Sequence, residues 1–194
     1  MRVLVACECS GRVKMAFRNK GHDAWSCDLK PSEITNDKFH YQCDIREVLN
    51  NGWDLMIAHP DCTYLSIMGG VWMNKQPERI NKVKEASVFF NYLLNQEINK
   101  IAIENPIPNK WARQYIRHYD QLIQPYYFGE AYKKGTCLWL KGLPPLMFTL
   151  IHGNPKCYVS AGAKGKTNNG IGHSKTDRAR TFQGIANAMA TQWG

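Results

Sequence analysis

No uninterrupted apolar stretch in the 194 residues approaches the roughly 18–20 that a membrane-spanning helix needs. The first apolar run, Val3–Cys7, ends after a strand's length, too short for the apolar core of a secretion signal. These absences predict a soluble, cytoplasmic protein that touches no membrane. No Cys-x-x-Cys pair occurs among the seven cysteines, and only Cys7 and Cys9 lie close together. Structural zinc sites want closely spaced ligand pairs, so no metal is expected and the thiols read as reduced. Acids are scarce: 16 Asp and Glu face 25 Lys and Arg, a net charge of +9. That excess favours a polyanionic partner, because each phosphate neutralised releases condensed counterions. The chain is 44% hydrophobic with only 21% charged residues, which excludes a disordered protein. Neither an internal repeat nor an interdomain linker is visible.

Short β-branched runs alternate with helical patterns, the signature of a parallel sheet with helices on its faces. Arg2–Cys7 reads as a strand, Arg12–Asn19 as a helix closed by Gly21, and Ala24–Cys27 as a second strand leading to Asp28. Tyr41–Cys43 ends in Asp44, Ile45–Asn50 is a short helix, and Asp54–Ala58 is a buried strand ending in His59-Pro60-Asp61-Cys62. The stretch 63–77 holds Gly69-Gly70 and reads as a mobile loop. Apolar positions 80, 83, 86, 90 and 94 predict the longest helix over Glu78–Gln96. Ile101–Ile103 follows as a strand ending in Glu104-Asn105-Pro106, a third αβ unit closes with Leu122–Phe128, and Thr136–Leu140 is a further strand. Thus 1–142 forms the α/β core. Residues 143–194 form an irregular basic segment, with Lys156, Lys164, Lys166, Lys175, Arg178 and Arg180, and a helix over about Arg178–Gln192. One domain is expected.

In an open parallel sheet, ligands bind beyond the carboxyl ends of the strands. Those ends hold Cys7, Glu8 and Gly11, then Asp28, Asp44, Cys62 and Glu104. A carboxylate after the second strand suits a ribose diol, and one after the third suits an adenine amino group. Each alone could be a helix cap, Asp44 with Arg46-Glu47 following above all. In order, they describe a nucleoside site. His59 reads either as satisfying a backbone carbonyl or as a base beside the Cys62 loop. Trp25, Trp53, Trp111 and Trp139 read as core, whereas Trp72, in the 63–77 loop, suits stacking on a base.

Pro60-x-Cys62-x-x-Leu65-Ser66-x-x-Gly69 resembles the nucleophile motif of the cytosine-5 DNA methyltransferases, and Ile103-Glu104-Asn105-Pro106 resembles their Glu-Asn-Val motif. Ser10-Gly11, Asp28 and Asp44-Ile45 resemble their first three cofactor motifs in order, over roughly residues 2–140. The strings His-Pro-x-Cys-Thr, Ile-Glu-Asn-Pro and Cys-Leu-Trp-Leu-Lys-Gly-Leu-Pro-Pro are similar to short phage- and prophage-borne members that lack a large target-recognition domain.

The resemblance implies a Rossmann-like methyltransferase sheet, S-adenosylmethionine as cofactor and DNA as partner. It implies that Cys62 attacks carbon 6 of cytosine, making carbon 5 nucleophilic toward a sulfonium methyl. It implies that Glu104, its pKa raised by burial, bonds ring nitrogen 3. Cys7, Ser10, Gly11, Asp28, Asp44 and Pro60 would meet the cofactor. Ser66, Gly69, Trp72, Asn105 and Lys134 would meet the substrate, with Gly69-Gly70 letting the loop close over a base taken out of the stack. Thr181, Gly184 and Asn187 resemble the family's last motif.

Three departures stand out. Glu8-Cys9-Ser10-Gly11-Arg12 keeps one glycine of the family's glycine-rich loop, Asp61 flanks the thiol and should raise its pKa, and Lys133-Lys134-Gly135-Thr136 replaces an arginine-bearing strand. The expectation is methylation of DNA with short or partner-supplied specificity. The alternatives are a cytosine nucleotide or RNA as substrate, or an inactive DNA- or cofactor-binding protein.

Overall fold

Register explains most of this architecture. The structure, a computed structural model, describes residues 1–70, 72–73, 76–160 and 170–194. Five parallel strands, β1 (Arg2–Ala6), β2 (Asp23–Asp28), β3 (His40–Gln42), β4 (Leu55–Ala58) and β5 (Lys100–Pro106), begin a seven-stranded sheet. It is completed by β6 (Gln121–Ile123) and β8 (Thr136–Lys141), in the order β3-β2-β1-β4-β5-β8-β6. The order reverses between β1 and β4, the crevice at which such sheets bind ligands. The all-parallel expectation fails at one edge: β8 runs antiparallel to both β5 and β6. The connection from β6 to β8 carries only a one-turn 3-10 segment and β7 (Tyr132–Lys133), with no helix to carry the chain back to the same end.

Alternation along the strands divides two cores. Val3, Val5, Leu55, Ile57, Ala102 and Leu138 face α1 (Arg12–Arg18) and α5 (Gln183–Gln192). Leu4, Ala6, Met56, Ala58, Ile101, Ile103 and Trp139 face α3 (Arg79–Leu94), which contributes Val83, Phe90 and Leu93. Strands buried on both faces read as continuous apolar runs, which is why Val3–Ala6 and Leu55–Ala58 are legible in sequence. Trp53 and Trp139 are buried and Trp25 and Trp111 pack against the same core, as expected of them.

Several local expectations are corrected. Ile45–Asn50 is a single 3-10 turn, Ile45–Glu47, begun by an Asp44/Glu47 capping box. The αβ unit before Leu122 has only the 3-10 turn Ala112–Gln114, not a helix. The 143–174 segment is less irregular than its composition suggests, for β9 (Lys156–Ser160) and β10 (Gly170–His173) join β7 in a second, parallel sheet. Lys164 and Lys166 lie outside the described residues, as does the Lys175 side chain. The terminal helix is broken into α4 (Lys175–Ala179) and α5, because Arg180 and Phe182 take extended backbone. Among the described residues no helix is long and apolar enough to cross a membrane.

Candidate active site

Ala6 pairs with Cys27 and with Ala58, and Ala58 with Ile103. The next residue on each chain is Cys7, Asp28, His59 and Glu104, so parallel register alone brings four chemistry-bearing side chains to one level. Cys7 takes a left-handed φ of 58°, turning the chain sharply out of β1. Its thiol is pushed up to about 12 by burial and by the carboxylates of Asp28, Asp44 and Asp61, so these three acids converge on the end of β1.

The expected cofactor positions divide by the work each already does. Gly11 has a φ of 70° and caps α1, and a Cβ there would lie 2.4 Å from Ile34 Cδ1. Ser10 donates to Glu8 Oε1 at 3.1 Å. Asp28 accepts from the Lys30 amide through Oδ1 and keeps Oδ2 without a hydrogen bond among the described residues. Asp44 is both cap and ion-pair partner: it accepts from the Arg46 amide at 3.0 Å and from the Arg46 guanidinium at 2.8 Å. Pro60 is buried and walls a cavity of about 340 Å³ with Asp61, Tyr64 and Phe89.

Cys62 sits in a tight turn whose carbonyl accepts from Ser66 at 3.0 Å. Asp61 folds back to accept from the Thr63 amide and hydroxyl at 2.8 and 2.6 Å, a local turn that accounts for an acid beside the thiol. The thiol's pKa is raised by burial first, then by Asp61 and Glu104, against a lowering pull from Lys134. Lys134 donates to the Arg178 carbonyl at 2.8 Å and carries its charge toward both Cys62 and Glu104.

Glu104 differs from expectation in two ways. It lies inside β5, which continues to Pro106, rather than past its end. Burial alone would raise its pKa, but the hydrogen bond and charge of His59 and the charge of Lys134 outweigh burial and hold the carboxyl below the ordinary range. His59 does not satisfy a backbone carbonyl: its Nδ1 lies 2.9 Å from Glu104 Oε2.

The residues expected to meet substrate mostly bind the protein itself. Asn105, 2% exposed, donates to the Pro60 carbonyl at 2.9 Å. Ser66 is buried in a bridge to Pro108. Gly69 belongs to α2 (Ile67–Gly70), and a Cβ on it would meet the Thr63 carbonyl oxygen at 1.9 Å. That glycine permits a close backbone approach to Thr63. Trp72, half exposed at 50%, stands on the outer side of this turn. Arg180 of the basic segment pairs with Glu33 and Asp177 at 2.9 and 2.6 Å.

No family profile and no curated protein matches the chain. Solved structures do. A candidate DNA modification methyltransferase encoded within a prophage, from E. coli, aligns with a TM-score of 0.52 at 13% identity, over 80% of this chain and 53% of that one. The methyltransferase EhMeth of Entamoeba histolytica aligns with a TM-score of 0.51 at 10% identity, over 99% of this chain and 81% of its own. The chain shares the fold of these two structures. It spans about half the length of the prophage-encoded structure.

Within that fold, two buried groups have structural roles that a sequence reading does not assign. Glu8, 5% exposed, receives the amides of Val13 and Lys14 at 2.8 and 3.3 Å, capping α1 from three residues before its N-cap. Lys14 is fully buried and pairs with Asp37 from the loop after β2. A lysine on the apolar face of a short helix was the available signal for the second; nothing local marks the first.

Proposed function

We infer that this protein transfers a methyl group from S-adenosylmethionine to carbon 5 of cytosine in DNA, through a covalent adduct at Cys62. The observation that carries this reading is that the turn following β4, which carries Cys62, and β5, which carries Glu104, leave adjacent parallel strands on the same side. The Asn105 amide ties the Cys62 loop to β5, and Glu104 stands near enough to raise the thiol. The carboxylates acting on the end of β1 are acceptors suited to the hydroxyls and amino group of a nucleoside, so the residues fit the cofactor. Asp28, whose Oδ2 has no hydrogen bond among the described residues, would hold the ribose diol. Asp44 would meet the adenine side, with Cys7, Ser10, Gly11 and Pro60 shaping the floor. When bound, S-adenosylmethionine supplies an electrophilic sulfonium methyl group.

The chain's own residues do the rest. Cys62 Sγ attacks carbon 6, and the ring's π electrons move toward carbon 5 and nitrogen 3. Glu104 offsets that build-up only as the neutral acid, so its carboxyl takes up a proton as the base arrives and donates it toward nitrogen 3. Once carbon 5 has gained the methyl group, a base takes its proton, the ring double bond re-forms and the Cys62 thiolate leaves, which releases the methylated product. Lys134 favours the thiolate, while burial, Asp61 and Glu104 oppose it, so the thiol is protonated at rest and must be deprotonated as the base arrives. That raised thiol also supports a second reading, a binding protein that keeps the fold without turnover.

The experiment is methyl transfer from labelled S-adenosylmethionine to unmethylated DNA, beside Cys62→Ala and an oligonucleotide carrying 5-fluorocytosine. Label in DNA, lost in the variant, with a trapped adduct through Cys62, supports the reaction. Transfer surviving Cys62→Ala removes the covalent mechanism. Neither transfer nor adduct, with intact cofactor binding, favours a nucleotide or RNA substrate. Loss of cofactor binding as well, with DNA affinity unaffected by Cys62→Ser, leaves the binding protein.

A further inference from the structure

His59 and Glu104 are level neighbours on β4 and β5, one residue past the Ala58–Ile103 pair. Their side chains are 10% and 14% exposed, and Nδ1 meets Oε2 at 2.9 Å. The other imidazole nitrogen, Nε2, is buried with no hydrogen-bond partner among the described residues. Such an orphan is uncommon in a buried pair that serves stability alone. The charged and titratable groups around the pair are Glu8 from the loop after β1 and Lys134 from the approach to β8. Cys62 and Cys137 lie within the field of Glu104.

We propose that His59 is the positioning residue of Glu104: it captures Oε2, leaving only Oε1 to meet a substrate base, and its charge sets whether the carboxyl is ionised or neutral. The inference deepens the reaction inferred above and rests on Glu104 being the group that meets the base. A carboxyl group can flip about its terminal bond, presenting either oxygen. A hydrogen bond on one oxygen removes that freedom, as outer partners do for metal-ligating and catalytic side chains. The orphan Nε2 keeps the arrangement poised. A cationic imidazole favours the ionised carboxyl across the 2.9 Å contact. It also leaves a buried N–H unsatisfied, a cost that the neutral ring avoids. Burial opposes the ionised carboxyl while the His59 contact favours it, so the charge on His59 bears directly on the proton that an acid serving a ring nitrogen must hold.

The test uses full-length protein labelled with ¹³C in glutamate carboxyls and ¹⁵N in histidine, with Glu104 assigned by Glu104→Gln. In the wild type the Glu104 carboxyl titrates below the ordinary glutamate range. His59→Asn keeps an N–H donor but removes the charge, and should carry that titration above the ordinary range. In Glu104→Gln the His59 imidazole should titrate below an ordinary histidine. This reciprocal arm reports the coupling even if His59→Asn folds poorly. In methyl transfer, His59→Asn should lower kcat/KM roughly ten- to a hundredfold and move its acid limb. Titrations of each partner that ignore the other overturn the proposal, as does a His59→Asn enzyme matching wild type in rate and pH profile. Coupled titrations in a wild type that neither transfers methyl nor forms an adduct would overturn the reaction and leave the pairing standing.

Discussion

Asn105 donates its side-chain amide to the Pro60 carbonyl across 2.9 Å, joining the strand that carries Glu104 to the loop that carries Cys62. At 2% exposure, the amide and its acceptor have no water to turn to. A second asparagine extends the tether, because Asn109 donates to the carbonyls of Tyr64 and Ser66 at 2.8 and 3.1 Å.

Asn105→Ala strands the Pro60 carbonyl in the interior. The expected loss is about 1–3 kcal/mol of stability. Urea denaturation measures it, and alkylation of Cys62 should become faster in the folded state as the loop loosens. A variant as stable as wild type, with unchanged alkylation, would show that the tether carries no load.

The Cys62 thiol is held up by burial and then by Asp61 and Glu104. Iodoacetamide labelling, followed by mass spectrometry of the Cys62 peptide, should rise with pH and reach its midpoint above that of an ordinary cysteine. Asp61→Asn keeps an oxygen for the Thr63 amide and hydroxyl while removing the charge. It should lower the midpoint and speed labelling at neutral pH. An unmoved midpoint would remove Asp61 from the control of the nucleophile.

Gly69→Ala places a carbon 1.9 Å from the Thr63 carbonyl oxygen, against backbone that cannot swing aside. The expected cost is about 1–3 kcal/mol, as for other overpacked sites. Thermal denaturation decides between this close-packing role and a hinge. A hinge glycine would leave stability unchanged and alter turnover.

Lys14 and Asp37 form a buried ion pair, at 0% and 5% side-chain exposure. Asp37→Ala leaves an unpartnered ammonium inside and should destabilise by roughly 3–5 kcal/mol, whereas replacing both by apolar residues should cost much less. Burial works to raise the Asp37 carboxyl, but hydrogen bonds from Lys14, Ser32 and the Phe39 amide outweigh it and hold the carboxyl below the ordinary range. A depressed carboxyl stabilises the fold fully above its unfolded pKa, and that contribution fades as pH falls through the lower folded value. Wild type should therefore lose stability in acid along a limb that is missing from the double apolar variant.

The sheet was legible in sequence because its strands are buried on both faces, and no other arrangement hides Val3–Ala6 or Leu55–Ala58. The antiparallel β8 was not, since Thr136–Lys141 reads the same in either direction, and only the short route from β6 decides which way it runs. The basic segment misled through composition: Gly, Asn and Lys say nothing about β9, which pairs with β7 more than twenty residues away, or about β10, which pairs with β9.

Chain order and spacing were enough to mark Cys62, Glu104, Asp28 and Asp44, because a parallel sheet delivers successive strand ends to one edge. Their charge states were beyond such a reading. Burial by itself predicts a raised Glu104, and the opposite holds because register sets His59 against its Oε2 at 2.9 Å. Hydrogen bonds and fields act over a few ångströms between residues 45 positions apart in the chain. Residue type and order name the groups that can do chemistry; the distances between strands decide which of them carries the proton.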